Sequence, residues 1–198
     1  MNNIILKGTL KNIKYSHSIG NVEYFSANML VPRHDGTEDF LNIKYKKLSN
    51  PYTEGDEIEL VGNVRSYSHV LNDKNKVDIY VFTYFDKPTD DEEIINKCTI
   101  DGCICKKDKL RTLKNGKCCF HFTLANSIVA NGKKINSYIP CVIWGEEAKV
   151  FDFNVGDEVS IIGELHSREY VKKISDTDCE IRVAHELVVN SISNIIES

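Results

Sequence analysis

One short phrase occurs twice in this chain of 198 residues. Residues 55–62 read GDEIELVG, and residues 156–163 read GDEVSIIG. In each copy the opening glycine and aspartate favour a turn, and the apolar residues that follow favour a β-strand. The closing glycine, Gly62 or Gly163, predicts a β-bulge or the close approach of another backbone. Because the phrase is repeated, we interpret the chain as a duplication.

The repeat extends on both sides of this phrase. Residues 4–10 and 98–104 are each an alternating apolar strand interrupted by a glycine. Further strand-like runs occupy 22–31, 39–46 and 76–85 in the first half and 117–128, 134–144 and 179–192 in the second. Short strands separated by turn residues predict an all-β fold, either a small sandwich or a barrel. A five-stranded Greek-key barrel is the OB-fold, and the pattern alone leaves it open against other small barrels.

A different kind of sequence separates the two halves. Residues 86–97 contain a proline and a run of acidic residues, and they lack apolar periodicity. Such a stretch is typical of a solvated linker. We therefore predict a first domain at residues 1–85, an acidic linker at 86–97 and a second domain at 98–198. Each domain is long enough to bury its own core.

The composition of the chain indicates the cellular compartment in which we expect it. No apolar run reaches the length of a membrane span, which is about 18 residues or more. The N-terminus lacks the basic and apolar regions of a secretory signal. We therefore expect a cytoplasmic protein without a membrane partner. The net charge of −4 is partly due to the linker, so each domain has room for a local basic surface.

The seven cysteines all lie in the second predicted domain. Their odd number, and a first domain that has none, favour reduced thiols over a disulfide framework. A zinc site from Cys103, Cys105, Cys118 and Cys119 is disfavoured, because adjacent residues of a strand face opposite ways. We expect these cysteines to be small apolar core residues, and we expect neither a metal nor another cofactor.

One segment of the second domain carries a resemblance to a known family. Residues 137–148 read SYIPCVIWGEEA, a strand that ends in an aromatic residue and glycine before an acidic helix start. The Gly156 turn and the basic-aromatic segment at 167–170 follow in order. Over about residues 98–192 this order resembles the bacterial-type single-stranded DNA-binding protein family. The first domain shares the glycine landmarks but lacks the aromatic-glycine-helix phrase, so it is a diverged copy.

The resemblance implies a fold and a function. It implies two tandem five-stranded OB-fold Greek-key barrels, the second with a short helix between its third and fourth strands. It also implies sequence-tolerant binding of single-stranded DNA, chiefly by the second domain, in replication, repair, recombination or transfer. In such barrels aromatic rings stack on bases, each contributing about 1–3 kcal/mol, and basic side chains follow the phosphates.

The resemblance also points to particular side chains. In the second domain the expected nucleic-acid-binding residues are Tyr138, Trp144, Tyr170, Phe120, Lys106, Lys107, Arg111 and Arg168. In the first domain, where the register is uncertain, they are Phe40, Tyr45, Tyr67, Lys44 and Lys46. For Trp144 and Phe120 a place in the hydrophobic core stays an open alternative. The basic clusters also fit the alternative of ordinary solvated surface.

The expected partners follow from the same reasoning. No motif of a phosphate-binding loop, a zinc protease or a serine hydrolase occurs, so we expect no enzyme. Residues 192–198 follow the last strand directly, without the flexible acidic tail with which many family members recruit partners. We expect a homodimer, with replisome or mobile-element proteins as further partners. The main rival is a protein-interaction module with weak or no DNA binding, and an RNA binder is the third reading.

Overall fold

The computed structural model describes residues 1–47, 52–71, 74–90, 92–130, 132–174 and 178–195. The strands of the first half are β1 (Asn2–Ile19), β2 (Val22–Pro32), β3 (Glu38–Lys46), β4 (Glu57–Leu71) and β5 (Lys74–Pro88). Those of the second half are β6 (Asn96–Lys107), β7 (Arg111–Thr112), β8 (Cys118–Ala130), β9 (Lys133–Trp144), β10 (Glu158–Lys173) and β11 (Cys179–Asn194). A short helix, α1 (Glu146–Lys149), lies between β9 and β10.

Each half closes into a five-stranded barrel. In the first half, antiparallel pairs join β1 to β2 and β4, β2 to β3, and β4 to β5, and a parallel pair joins β3 to β5. In the second half, β6, β8, β9, β11 and β10 repeat this order, with the parallel pair between β9 and β11. The predicted all-β class with two tandem OB barrels is confirmed, and so is the helix between the third and fourth barrel strands of the second copy.

The two glycines that close the repeated phrase behave as the sequence predicts. The pairing register shifts between Val61 and Gly62 and again between Ile162 and Gly163. A Cβ atom on Gly163 would lie 2.2 Å from the carbonyl oxygen of Val188. Each closing glycine therefore marks both a β-bulge and a close backbone approach.

An antiparallel pairing of β1 with β6 joins the barrels into one continuous sheet. A buried polar contact links them at a second place. The Asp39 carboxylate of β3, which is fully buried, accepts a bidentate hydrogen bond from Arg33 and a further one from the backbone N–H of Ser167 in β10. Such a carboxylate must be paired to be tolerated in the interior. The barrels are therefore joined by a sheet and by the hydrogen bonds of the Arg33–Asp39 ion pair to the backbone of Ser167.

The barrel interiors are filled by alternate side chains of the strands. Ile4, Leu6, Met29 and Leu60 are fully buried in the first barrel, and Ile100 is in the second. Among the described residues, no helix is long and apolar enough to cross a membrane. Strand β5 ends at Pro88 and strand β6 begins at Asn96. The division into domains at 1–85 and 98–198, with a linker at 86–97, stays a prediction.

Candidate nucleic-acid interface

The predicted aromatic residues of the second barrel occupy three different surroundings. Tyr138 and Trp144 in β9 are 47% and 39% exposed. The backbone N–H of Tyr138 donates to the Ser66 hydroxyl at 2.8 Å, so this tyrosine lies where the second barrel meets β4 of the first. Tyr170 in β10 is half-buried, with the Arg168 guanidinium 5.9 Å from its ring centroid. Three of the four rings therefore reach the surface.

Two of the predicted residues are buried. Tyr45 is 6% exposed and Phe120 is 7% exposed. The Tyr45 ring stacks on Phe25, and burial raises the pKa of its hydroxyl. The Phe120 ring stacks on Phe151 at 4.5 Å. Both side chains fill the core, so neither has a ring face free for a base, and the interface we describe excludes them.

Phe40 has a third role, at the junction between the barrels. Its backbone N–H donates to the Ser167 hydroxyl at 2.8 Å, and its carbonyl accepts a hydrogen bond from His185 Nε2 at 2.9 Å. Its ring is half-buried beside Tyr170 in a shared groove. Phe40 therefore holds the two barrels together at one end of the surface described below.

The predicted basic residues of the second barrel already have polar partners. Asp108 lies 3.5 Å from Lys106 and 3.6 Å from Arg111. The Lys107 ammonium donates to the carbonyl oxygen of Phe153 at 2.9 Å. These exposed pairs contribute little free energy, so they can open to a phosphate. They nevertheless reduce the positive charge of this side of the barrel.

Arg168 is likewise paired, with Glu186 at 3.8 Å. Glu186 lies on β11 and also approaches His121 at 3.9 Å. The carboxylate is largely buried between these two basic groups. The face of the second barrel is therefore partly neutralised at its centre.

A groove on the first barrel combines aromatic and basic side chains. Its volume is about 590 Å³. The lining comes from β1 to β5 and from the β8–β9 hairpin of the second barrel, and among the described residues it includes no aspartate or glutamate. The aromatic and basic residues of the lining include Tyr24, Lys44, Lys46, Arg65, Tyr80, Phe82 and Lys133. We call this surface the first-barrel groove.

Cations stand over aromatic rings inside this groove. The Lys44 ammonium lies 4.2 Å from the Tyr80 ring centroid, and the Arg65 guanidinium carbon lies 4.2 Å from that of Phe82. These distances are well within the range of cation–π attraction, about 6 Å. The pairs bring an aromatic ring and a positive charge to the same place, and proteins that bind single strands combine these two kinds of group.

The first-barrel groove continues into two smaller ones. Lys44 and Tyr80 also line a groove of about 440 Å³ that reaches Tyr67. Asp78 is shared between that groove and a third, of about 340 Å³, which ends at Tyr170 in the second barrel. The three grooves together form a track from the β8–β9 hairpin to β10. Five predicted residues line this track: Phe40, Lys44, Lys46, Tyr67 and Tyr170.

The second barrel does not repeat the composition of the first-barrel groove. The strand pairing shows which positions of the two barrels are equivalent. Arg65 of β4 pairs with Tyr80 of β5, and the equivalent pair in β10 and β11 is His166 with Glu186. In the same way Lys44 pairs with Phe82 in the first barrel, and the equivalent pair in the second barrel is Val142 with Val188. The second barrel thus has a carboxylate or an aliphatic side chain where the first has aromatic and basic ones.

The sequence reading missed Tyr24, Arg65, Tyr80, Phe82 and Lys133. A signal for two of them is present, because Tyr80 and Phe82 alternate in one strand and so share a face. Whether that face points into the core or outward depends on which residues of the strand are buried. Val81, between the two aromatic residues, is fully buried, so their face points outward. Only the barrel register supplies that information.

The cysteines have no ligand geometry. Burial raises the pKa of Cys98 to about 12 and that of Cys141 well above its ordinary value, so both thiols stay protonated. Cys118 and Cys119 are also buried. In the described part of the chain, no group of three or more potential ligands is close enough together to hold a metal ion.

Comparison with known proteins gives the same family as the sequence resemblance. The profile of the single-strand binding protein family matches residues 95–194. Two solved structures of the single-stranded DNA binding protein from Thermus aquaticus resemble the whole chain. The wild-type protein gives a TM-score of 0.75 at 15% identity, and covers 100% of this chain and 94% of its own. A deletion variant gives 0.74 at 16% identity, with 100% and 96% covered.

At these identities the structural likeness establishes the fold. No curated protein sequence matches the chain. The family profile, in contrast, spans half of the chain, from the end of the acidic segment through β11. On this match, the chain belongs to the single-strand binding protein family.

Proposed function

We propose that this protein binds single-stranded DNA with little sequence preference, along the track that begins in the first-barrel groove. The single observation that carries the proposal is the pairing of Lys44 with Tyr80 and of Arg65 with Phe82 in a groove lined by no carboxylate. Stacking tolerates every base, because each base has a π-face. The family match supports the choice of single-stranded DNA as the ligand.

The proposed track lies mainly on the first barrel, whereas the sequence led us to expect binding chiefly by the second. The first barrel supplies the aromatic and basic groove, and Tyr170 extends the track onto the second. The other predicted residues on the surface of the second barrel do not line these three grooves: Tyr138, Arg168, Lys106, Lys107, Arg111 and Trp144. They form an outlying set that a longer strand would reach.

The biological setting is part of the proposal. Non-catalytic protection of single strands would serve replication, repair, recombination or transfer of DNA in the cytoplasm. Proteins of a replisome or a mobile element are the proposed further partners.

We also propose a homodimer, formed through the outer face of the continuous sheet. Ile5, Val61 and Phe85 lie side by side on β1, β4 and β5, with Tyr84 and Ile162 nearby on the same face. Phe85, Tyr84 and Ile162 are exposed. Exposed apolar patches of this kind often mark an interface, and twofold pairing is the commonest closed assembly.

The test of DNA binding is a titration of labelled oligo-dT by fluorescence anisotropy at several salt concentrations. We expect tight binding at low salt, much weaker binding to duplex, and a linear fall of log affinity with log salt. Tyr80→Ala removes a stacking ring and should weaken binding about 5- to 150-fold, which corresponds to about 1–3 kcal/mol. Val150→Ala, at an exposed apolar position outside the three grooves and outside the proposed dimer patch, is the control and should bind as the wild type does.

The outcomes separate the alternatives. Wild-type protein that binds no oligo-dT at low salt would overturn the proposal and favour the protein-interaction module. Tighter binding to oligo-rU than to oligo-dT would favour an RNA ligand. Equal losses in Tyr80→Ala and in the Val150→Ala control would move the interface away from the first-barrel groove.

A further inference from the structure

Arg65 is a buried cationic residue in the wall of the first-barrel groove. It lies on β4 opposite Tyr80 and is only 9% exposed. One face of its guanidinium is covered by the Phe82 ring, at 4.2 Å. Such stacking fixes the plane of the group and leaves its N–H edge as the part that binds a ligand.

No counter-charge compensates this guanidinium among the described residues. Its Nη2 is 3.5 Å from Asn63 Oδ1, which is at the limit of a hydrogen bond, and its buried Nε has no partner. Burial lowers the pKa of Arg65, and Tyr80 opposes this shift only in part. Arg33, by contrast, is paired with the buried Asp39. A buried donor that lacks a partner destabilises the unliganded protein until an acceptor arrives.

The groove around Arg65 is suited to an anion. Lys44 and Lys46 of β3 line the same groove. Lys133, at the start of β9, is contributed by the second barrel. Its hairpin lies across the groove with Ala130 and Ile135, so the site is composite. Four cationic side chains thus line one groove, and none of the described residues in its wall is an aspartate or glutamate.

We propose that Arg65 is the centre of a phosphate-binding subsite, completed by Lys133 from the other barrel. The ligand class is a phosphodiester of a bound single strand, and inorganic phosphate or pyrophosphate shares the same chemistry. The inference deepens the proposed function and rests on it for the identity of the natural ligand. The planar fork of arginine binds phosphate oxygens through two hydrogen bonds, which a lysine cannot do.

The first experiment compares Arg65→Gln with wild type in the oligo-dT titration. We expect about a tenfold or greater loss of affinity, and the slope of log affinity against log salt should shrink by about 0.7, the value for one phosphate. Arg65→Lys should recover the slope but not the full affinity. Lys149→Gln, which removes an exposed lysine outside the groove, should leave both quantities unchanged. Wild-type affinity and slope in Arg65→Gln would overturn the subsite.

A second measurement uses the wild-type protein and does not depend on DNA. Pyrophosphate is added at constant ionic strength, with chloride as the reference, and the Nε–Hε resonance of Arg65 is followed by NMR. We expect a saturable shift of that resonance, which Lys133→Ala weakens. An unchanged resonance would refute the subsite even if Arg65→Gln fails to fold. A shift with pyrophosphate in a protein that binds no oligo-dT would support the subsite and overturn the proposed function.

Discussion

Ile4 of β1 lies directly opposite Cys98 of β6, and these two residues occupy equivalent positions in the two copies of the duplication. The equivalence follows from Gly8 and Gly102, each of which stands four residues further along its strand. A residue that pairs with its own counterpart marks a twofold axis between the barrels. The chain therefore contains within itself the symmetric contact that two identical barrels would make.

The internal symmetry extends to a pair of asparagines. The Asn2 side chain donates to the Val64 carbonyl at 2.8 Å and accepts from the Val64 N–H at 2.9 Å. Asn96 makes the same two bonds with Leu165, at 2.8 and 3.0 Å. Each asparagine thus satisfies a backbone pair in β4 or β10, at the place where the barrels join.

Replacing Asn2 with alanine should destabilise the protein. The change leaves the buried N–H and carbonyl of Val64 without partners, which costs about 1–3 kcal/mol. Urea unfolding would measure the loss. The control is Asn190→Ala, because this exposed side chain makes only a long 3.3 Å bond to Glu164. We expect a change within about 0.5 kcal/mol for the control. A similar stability of both variants would contradict the role assigned to Asn2.

The sequence predicted the fold because its signals are local. The turn glycines Gly55 and Gly156 have φ values of 99° and 101°, and Gly62 and Gly163 mark bulges as expected. The site was harder to predict. Tyr45 and Tyr80 are both strand tyrosines, the first between two lysines and the second between two apolar residues. Tyr45 fills the core, whereas Tyr80 lines the groove. That distinction depends on barrel closure, which sets the face each strand turns inward.

Lys133 shows a second limit of sequence reading. It belongs to the second barrel but lines a groove of the first. A comparison of the two sequence repeats assigns each side chain to the barrel of its own repeat. It therefore misses a site to which both barrels contribute. The β1–β6 pairing that brings the hairpin across is a long-range contact between the two halves. No local pattern encodes it.

Stability should fall as the pH drops through the range of histidine. Burial of His185 lowers its pKa below the ordinary value of 6.5, although its bond to the Phe40 carbonyl and the charges of Asp39 and Asp78 oppose this shift. The unfolded chain therefore binds the proton more readily than the folded one. Stability is full above the unfolded pKa and decreases as the pH falls below it toward the folded pKa.

This pH dependence is measured by urea unfolding of wild type and His185→Gln. The two conditions are about pH 7.5 and about pH 5.5, which bracket the ordinary histidine pKa. Glutamine keeps a donor for the Phe40 carbonyl and removes the titrating group. We expect the wild type to lose more stability than the variant. An equal loss in both would show that His185 is protonated as easily in the folded state as in the unfolded chain.

The proposed homodimer should separate when its apolar patch is given a charge. Ile162→Glu places a carboxylate on the outer sheet face, and burial of an unpaired charge in an interface is strongly unfavourable. Light scattering should give a dimer mass for the wild type and a monomer mass for the variant. Val129→Glu, at a strongly exposed position near the tip of the β8–β9 hairpin, is the control and should remain dimeric. A monomeric wild type would exclude the assembly.

The last prediction compares the two barrels as DNA-binding surfaces. Tyr24→Ala with Tyr80→Ala removes two rings of the first-barrel groove, and Tyr138→Ala with Tyr170→Ala removes two rings of the second barrel. Because Lys44 stands over Tyr80 in a groove lined by no carboxylate, we expect the first pair to lose about 2–6 kcal/mol of oligo-dT binding. The second pair should lose less.

The physical reason for this asymmetry is the charge beside each ring. Glu186 occupies, in the second barrel, the position of Tyr80, and it pairs with Arg168 at 3.8 Å. A phosphate approaching Tyr170 must therefore displace a carboxylate before it reaches the arginine, whereas no described residue that lines the first-barrel groove is a carboxylate. Circular dichroism and urea midpoints of both double variants establish that they are folded. A larger loss for the Tyr138 and Tyr170 pair would return the principal site to the second barrel, where the family resemblance first placed it.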